Sequence, residues 1–143
     1  MLRRMHCSRR VVGFLALSSL LLSACDGGPT GPTVRLDTAF LLTVGETATL
    51  QGRSVSVRIR FVGVTGDSRC PIDVFCVTGG DAIVEIAVRS RSGPEIRYDL
   101  HTGDLRPVQH RTLTITLVQL APDPFSTQTI PPEAYRATLR VTE

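Results

Sequence analysis

From residue 54 to residue 61 the chain reads SVSVRIRF, with Val55, Val57, Ile59 and Phe61 alternating with Ser54, Ser56, Arg58 and Arg60. Successive side chains of an extended strand point to opposite faces, so this period gathers the apolar residues on one face and the polar residues on the other. The segment is predicted to be a half-buried strand. The same period recurs in EIRYDLH (95–101), through Ile96, Tyr98 and Leu100, and in RTLTITL (111–117), through Leu113, Ile115 and Leu117. It recurs again in YRATLRV (135–141), where Tyr135, Ala137, Leu139 and Val141 oppose Arg136, Thr138 and Arg140. Residues 40–44 and 47–51 are further strand candidates. Residues 82–88 are another, more buried because Ile83 and Ala87 add to Ala82, Val84, Ile86 and Val88.

Clusters of turn residues separate these segments: VGE, VTGDS, TGGD, RSGPE, TGD, APDP and PPE. No window of a dozen residues in this region carries a helical 3.6-residue stripe. About seven short strands at such spacing predict an all-β fold, a single antiparallel β-sandwich or small barrel over residues 34–143.

The N-terminal segment follows a different pattern. Arg3, Arg4, Arg9 and Arg10 precede a predominantly apolar run over residues 11–22, the layout of an export signal. A helix needs about 20 apolar residues to span a hydrocarbon core, so the run is too short for a conventional anchor. It ends in Leu22-Ser23-Ala24-Cys25, which resembles the lipobox of bacterial lipoproteins. The resemblance implies cleavage before Cys25, a thioether-linked diacylglycerol on its sulfur and often a third acyl chain on its new amino group. Two or three chains hold a protein stably to a membrane where a single myristoyl chain binds only marginally. Ser8-Arg9-Arg10 is similar to a twin-arginine signal, but Val12 and Gly13 stand where that signal prefers Phe and Leu, which favours the general secretory route. Asp26 resembles the residue that retains some lipoproteins at an inner membrane, a rule that varies among bacterial groups.

Three regions follow: a signal peptide at 1–24, a lipidated cysteine and tether at 25–33, and a β-domain at 34–143. The tether, DGGPTGPT after Cys25, is small and rich in Gly and Pro, with an expected end-to-end distance of roughly 15 Å. Removing the signal also changes the charge. The chain has sixteen Arg, no Lys and thirteen acidic residues, and four of those Arg leave with the signal. The mature chain is near −1, without the basic patch that nucleic-acid binding requires.

Cys7 leaves with the signal, Cys25 takes lipid, and Cys70 and Cys76 remain in RCPIDVFCVTGGD (69–81). An exported domain sits in an oxidising compartment, where pairing is the default outcome. A structural zinc site needs four ligands at closer spacing, and a thioredoxin-like site needs C-x-x-C beside a βαβ unit. A structural disulfide between Cys70 and Cys76 is expected, with metal and redox roles as the alternatives. The run DSRCPIDVFCVTGGDA (67–82) also resembles a segment of a family of small uncharacterised bacterial lipoproteins and secreted proteins. Their motif runs Asp-Ser-Arg-Cys-Pro, a second cysteine and Gly-Asp/Asn-Ala, and they close on a segment similar to 135–141. A Trp-Ala pair common in that family is replaced here by Thr78-Gly79. The resemblance implies no activity.

Asp67, Arg69, Asp73 and Asp81 crowd the stapled loop as a candidate recognition surface or cation site; the plainer alternative is turn formation and local ion pairing. Arg58, Arg60, Arg136 and Arg140 can line one face for an anionic polymer, or form an ordinary solvated sheet face. His101, with Asp99 and His110, is a weak metal candidate, and His101 is expected to point outward. No serine lies in a nucleophile-elbow context. The expectation is a lipid-anchored, non-catalytic binding module of the bacterial envelope, needing no metal or cofactor and meeting an envelope protein or exported ligand. The alternative is a hydrolase or metal-dependent enzyme with a loop-borne site, which requires His101, His110 and carboxylates to converge in a deep pocket.

Overall fold

The computed structural model describes residues 31–52 and 56–143. The signal segment, Cys25 and most of the tether lie outside the described residues. Nine strands are described: β1 (Thr33–Val34), β2 (Phe40–Thr43), β3 (Thr47–Gln51), β4 (Ser56–Asp67), β5 (Ala82–Ser90), β6 (Glu95–His101), β7 (Val108–His110), β8 (Leu113–Ala121) and β9 (Arg136–Thr142). The only helical element among the described residues is a 3-10 turn at Pro132–Ala134. One sheet has the order β1-β3-β4-β5-β6 and the other β2-β9-β8-β7. The protein is all-β, and its two open sheets make a sandwich, not a barrel.

Alternation is the reason these segments form these strands. Val57, Ile59 and Phe61 of β4 and Val84, Ile86 and Val88 of β5 meet Ile115 and Leu117 of β8 and Leu139 and Val141 of β9 in one buried core. Ile59, Phe61, Ile86, Ile115 and Leu139 have no exposed surface. Each such side chain contributes about 1.5–3 kcal/mol by leaving water. The more apolar β5 also buries Ala87 on its outer side, as Ala87 in its sequence predicts. In the edge strand β6 only Leu100 is fully buried, and Ile96 stays 41% exposed.

Three expectations change. Among the described residues the strands number nine rather than about seven, because β1 and β7 are too short to show a period. Thr33, the last residue of the expected tether, already pairs with Thr49, and β1 runs parallel to β3 in a sandwich otherwise antiparallel. VTGDS is not a turn: β4 continues through it to Asp67 with register shifts at Phe61/Gly63 and Val64/Gly66. Glycines inside a strand mark bulges, where one extra residue is accommodated and the twist increases.

These bulges carry β4 far enough for Asp67 to face Ala82 of β5. The end of β4, the start of β5, the end of β6 and the end of β8 thus lie together. This end of the sandwich carries the loops 68–81, 102–107 and 122–135. The opposite end holds the starts of β4 and β6 and the β7–β8 turn.

Candidate functional site

Loop 68–81 leaves β4 and re-enters as β5. Its base is closed by backbone bonds from Ser68 N to Asp81 O (2.7 Å) and from Cys70 N to Gly79 O (2.9 Å). The Ser68 hydroxyl adds bonds to the backbone of Asp81 on both sides, donating to its carbonyl and accepting from its amide. Gly80 makes the close approach achievable, since its φ is +68° and a Cβ there would sit 1.8 Å from Ser68 O. Further out, Cys70 and Cys76 are joined by a disulfide, with Cα atoms 5.9 Å apart.

Arg69 fastens the loop sideways. Its guanidinium donates from Nε and Nη2 to the two oxygens of Asp67 (2.9 and 2.7 Å), the forked arrangement that suits Arg to carboxylates. Nη1 donates to Leu120 O and Nη2 to Pro122 O, both at 2.9 Å. The Tyr135 hydroxyl donates to Asp67 Oδ2 at 3.0 Å. Both charged side chains are only 10–12% exposed, so each is matched before it is buried. Burial alone would raise the Asp67 carboxyl; its bonds from Arg69 and Tyr135 outweigh that and leave it below its ordinary range.

Asp73 and Asp81 perform the same kind of work. The Asp73 carboxylate accepts from the amide and hydroxyl of Ser126 (2.8 and 2.6 Å). Ile72 N donates to Pro124 O, so loop 122–135 and loop 68–81 are tied at two successive residues. Asp81 accepts from His101 Nδ1 (2.6 Å), Gly103 N (2.8 Å) and the Thr102 hydroxyl (3.2 Å). The hydrogen bond to Asp81 raises the His101 pKa above its ordinary value. Slight burial opposes ionisation of Asp81, yet its three donors hold its carboxyl low.

All four charged residues singled out in the sequence therefore come together at this end, turned toward the loops they connect. Beside exposed Asp73, Thr78 and Asp123, a set of apolar side chains is presented outward. Phe75 and Val77, flanking Cys76, are fully exposed; Ile72, Val74 and Phe125 are 60%, 46% and 44% exposed. Sequence reasoning missed this set, although IDVF in a turn-rich segment without strand period was a signal that these residues had no core to enter.

The histidines do not converge. His110 lies at the other end of β6, buried, with Nε2 2.9 Å from the Ser90 hydroxyl and Nδ1 3.0 Å from the Tyr98 hydroxyl. Burial, and then the charge of Arg111, lowers its pKa. His101 is 40% exposed at its side chain and points outward as expected, but toward Asp81 instead of Asp99 or His110. Among the described residues no group of three or more His, Cys, Asp or Glu is placed to hold a metal ion. No serine or cysteine of these residues hydrogen-bonds to His101. A recess of about 600 Å³ lies at the opposite end between residues such as Ser56, Ser90, His110 and Leu113.

The arginine face divides as well. Arg58 and Arg60 belong to β4 and Arg136 and Arg140 to β9, strands of different sheets, so the four line opposite outer surfaces. Arg60 pairs with Glu95 at 3.0 Å, and Arg136 Nη1 donates to the carbonyls of Glu133, Ala134 and Tyr135. A surface for an anionic polymer built from all four is not formed.

The fold and site together define an all-β sandwich domain with a braced, apolar-tipped loop at one end. No family model, curated protein or solved structure matches the chain.

Proposed function

We propose that this protein is a lipid-anchored, non-catalytic binding module of the bacterial cell envelope, and that the stapled loop end is its binding surface. The anchor rests on Leu22-Ser23-Ala24-Cys25 following a basic and then apolar segment. One observation carries the binding surface: fully exposed Phe75 and Val77 stand on a loop held by a disulfide, an Arg69 clamp and the Asp73 and Asp81 bonds. An exposed apolar cluster of this kind marks an interaction site, and bracing it beforehand reduces the ordering cost of binding. The charged residues Asp67, Arg69, Asp73 and Asp81 act as its supports.

The anchor is tested by intact-mass measurement of the protein from the membrane fraction. A chain starting at Cys25 with added acyl mass is expected. An unmodified soluble chain from the wild type, or full membrane retention of Cys25→Ser, would contradict it. The binding surface is tested by comparing Phe75→Ser/Val77→Ser with the wild type in envelope co-purification. Loss of bound material with unchanged thermal stability is expected; unchanged binding would move the surface elsewhere.

A further inference from the structure

We infer that what the stapled loop end binds is the lipid bilayer itself, with Phe75 and Val77 inserting beside the chain's own anchor. The inference rests on the reading of this end as a binding surface and of Cys25 as lipidated.

Shape is the first argument. Phe75 and Val77 are fully exposed and flanked by Ile72, Val74 and Phe125, so the tip projects apolar side chains without enclosing a space. A small ligand is normally held in a concave site that covers most of its surface. None of these residues lines the 600 Å³ recess, which is at the opposite end. A fluid acyl layer requires no matching cavity, and insertion strength there scales with the apolar area buried.

Position is the second. β1 is parallel to β3, with Thr33 beside Thr49, and Gly31 packs against the Thr47 carbonyl. The chain thus enters β1 from the side of the loop end. Thr47 lies opposite Arg60 of β4, and from there β4 runs on to Asp67, which faces Ala82 five residues along β5 from the partner of Arg60, a span of about 17 Å. From Cys25 to Gly31 the six residue steps span at most about 20 Å. Loop 68–81 extends beyond Asp67, so a domain hung from a membrane by this tether, loop end down, has its loop within reach of the bilayer.

Charge is the third. Arg69 is committed to Asp67, Leu120 and Pro122, while Asp73 and the 61% exposed Asp123 flank the tip. Attachment is therefore apolar, and anionic lipid is not required.

The chain contains no Trp, so one introduced indole reports alone. The lipidated Phe75→Trp protein is reconstituted into phosphatidylcholine vesicles carrying bromine on the acyl chains. Ile96→Trp, at the opposite end and 41% exposed in the wild type, is the reference. Phe75→Trp should show a blue-shifted emission and lose much of its intensity to bromine, with Ile96→Trp unchanged. Equal quenching at both positions would mean the domain lies flat and would overturn the inference, as would no quenching at Phe75→Trp. Co-flotation of both preparations with the vesicles, lost in Cys25→Ser, checks the anchor separately. A photoreactive residue at position 75 in intact cells separates the remaining failures. Adducts to another protein or to a second copy, without bromine quenching, overturn the bilayer while keeping the binding surface; no adduct and no quenching overturn both.

Discussion

Asp81 and His101 show how much a single pair does at this end of the molecule. Their bond raises the His101 pKa, so the folded state holds that proton more tightly than the unfolded chain does. The stabilisation is complete below the ordinary value of 6.5 and fades as pH rises through the raised value. His110 acts with the opposite sign: burial lowers its pKa, so stability falls as pH drops below 6.5. Proton-titrated NMR should find the two histidines on opposite sides of 6.5, with Asp81→Asn returning His101 toward that value and leaving His110 in place. Gly80 is a second residue whose identity is dictated locally. Gly80→Ala meets both a left-handed backbone and the Ser68 carbonyl, and should lower stability by about 1–3 kcal/mol in chemical denaturation. The charged residues of this loop were legible in the sequence; their direction was not. Arg69 turns inward because Leu120 and Pro122, some fifty positions later, offer carbonyls that no local pattern reveals.

Among the elements, legibility followed period. β4, β5, β8 and β9 alternate over seven residues or more, and their apolar face became the core. β1 and β7 span two and three residues, too few to have a period, and the Gly63 and Gly66 bulges of β4 resemble a turn because glycine serves both. The same division between core and loop predicts where substitutions matter. Ile59→Ala, at a site with no exposure, should cost about 2–5 kcal/mol, whereas Phe75→Ala, fully exposed, should leave the melting temperature unchanged. The disulfide closes a short ring, 70–76, and contributes roughly 2 kcal/mol by limiting the unfolded chain. Cys70→Ser/Cys76→Ser should therefore keep a strand-type circular dichroism spectrum, melt at a modestly lower temperature and be cut more readily within the loop. Loss of the β spectrum would mean the staple holds the fold as well as the loop.

At the scale of the whole molecule, sandwich and loop divide the work between them. The sandwich supplies a core that needs nothing from the loop, since Ile59, Ile115 and Leu139 lie between the sheets. That independence leaves Phe75 and Val77 free of any packing duty. Under the proposed anchoring at Cys25, tether length then sets which end meets the membrane. The most direct measurement is photocrosslinking in intact cells from a benzophenone side chain at position 75, with position 96 at the far end as its partner experiment. Insertion of the loop end into the bilayer predicts abundant adducts from position 75, to lipid above all, and few from position 96. Equal labelling of the two positions, or none from 75, would contradict it.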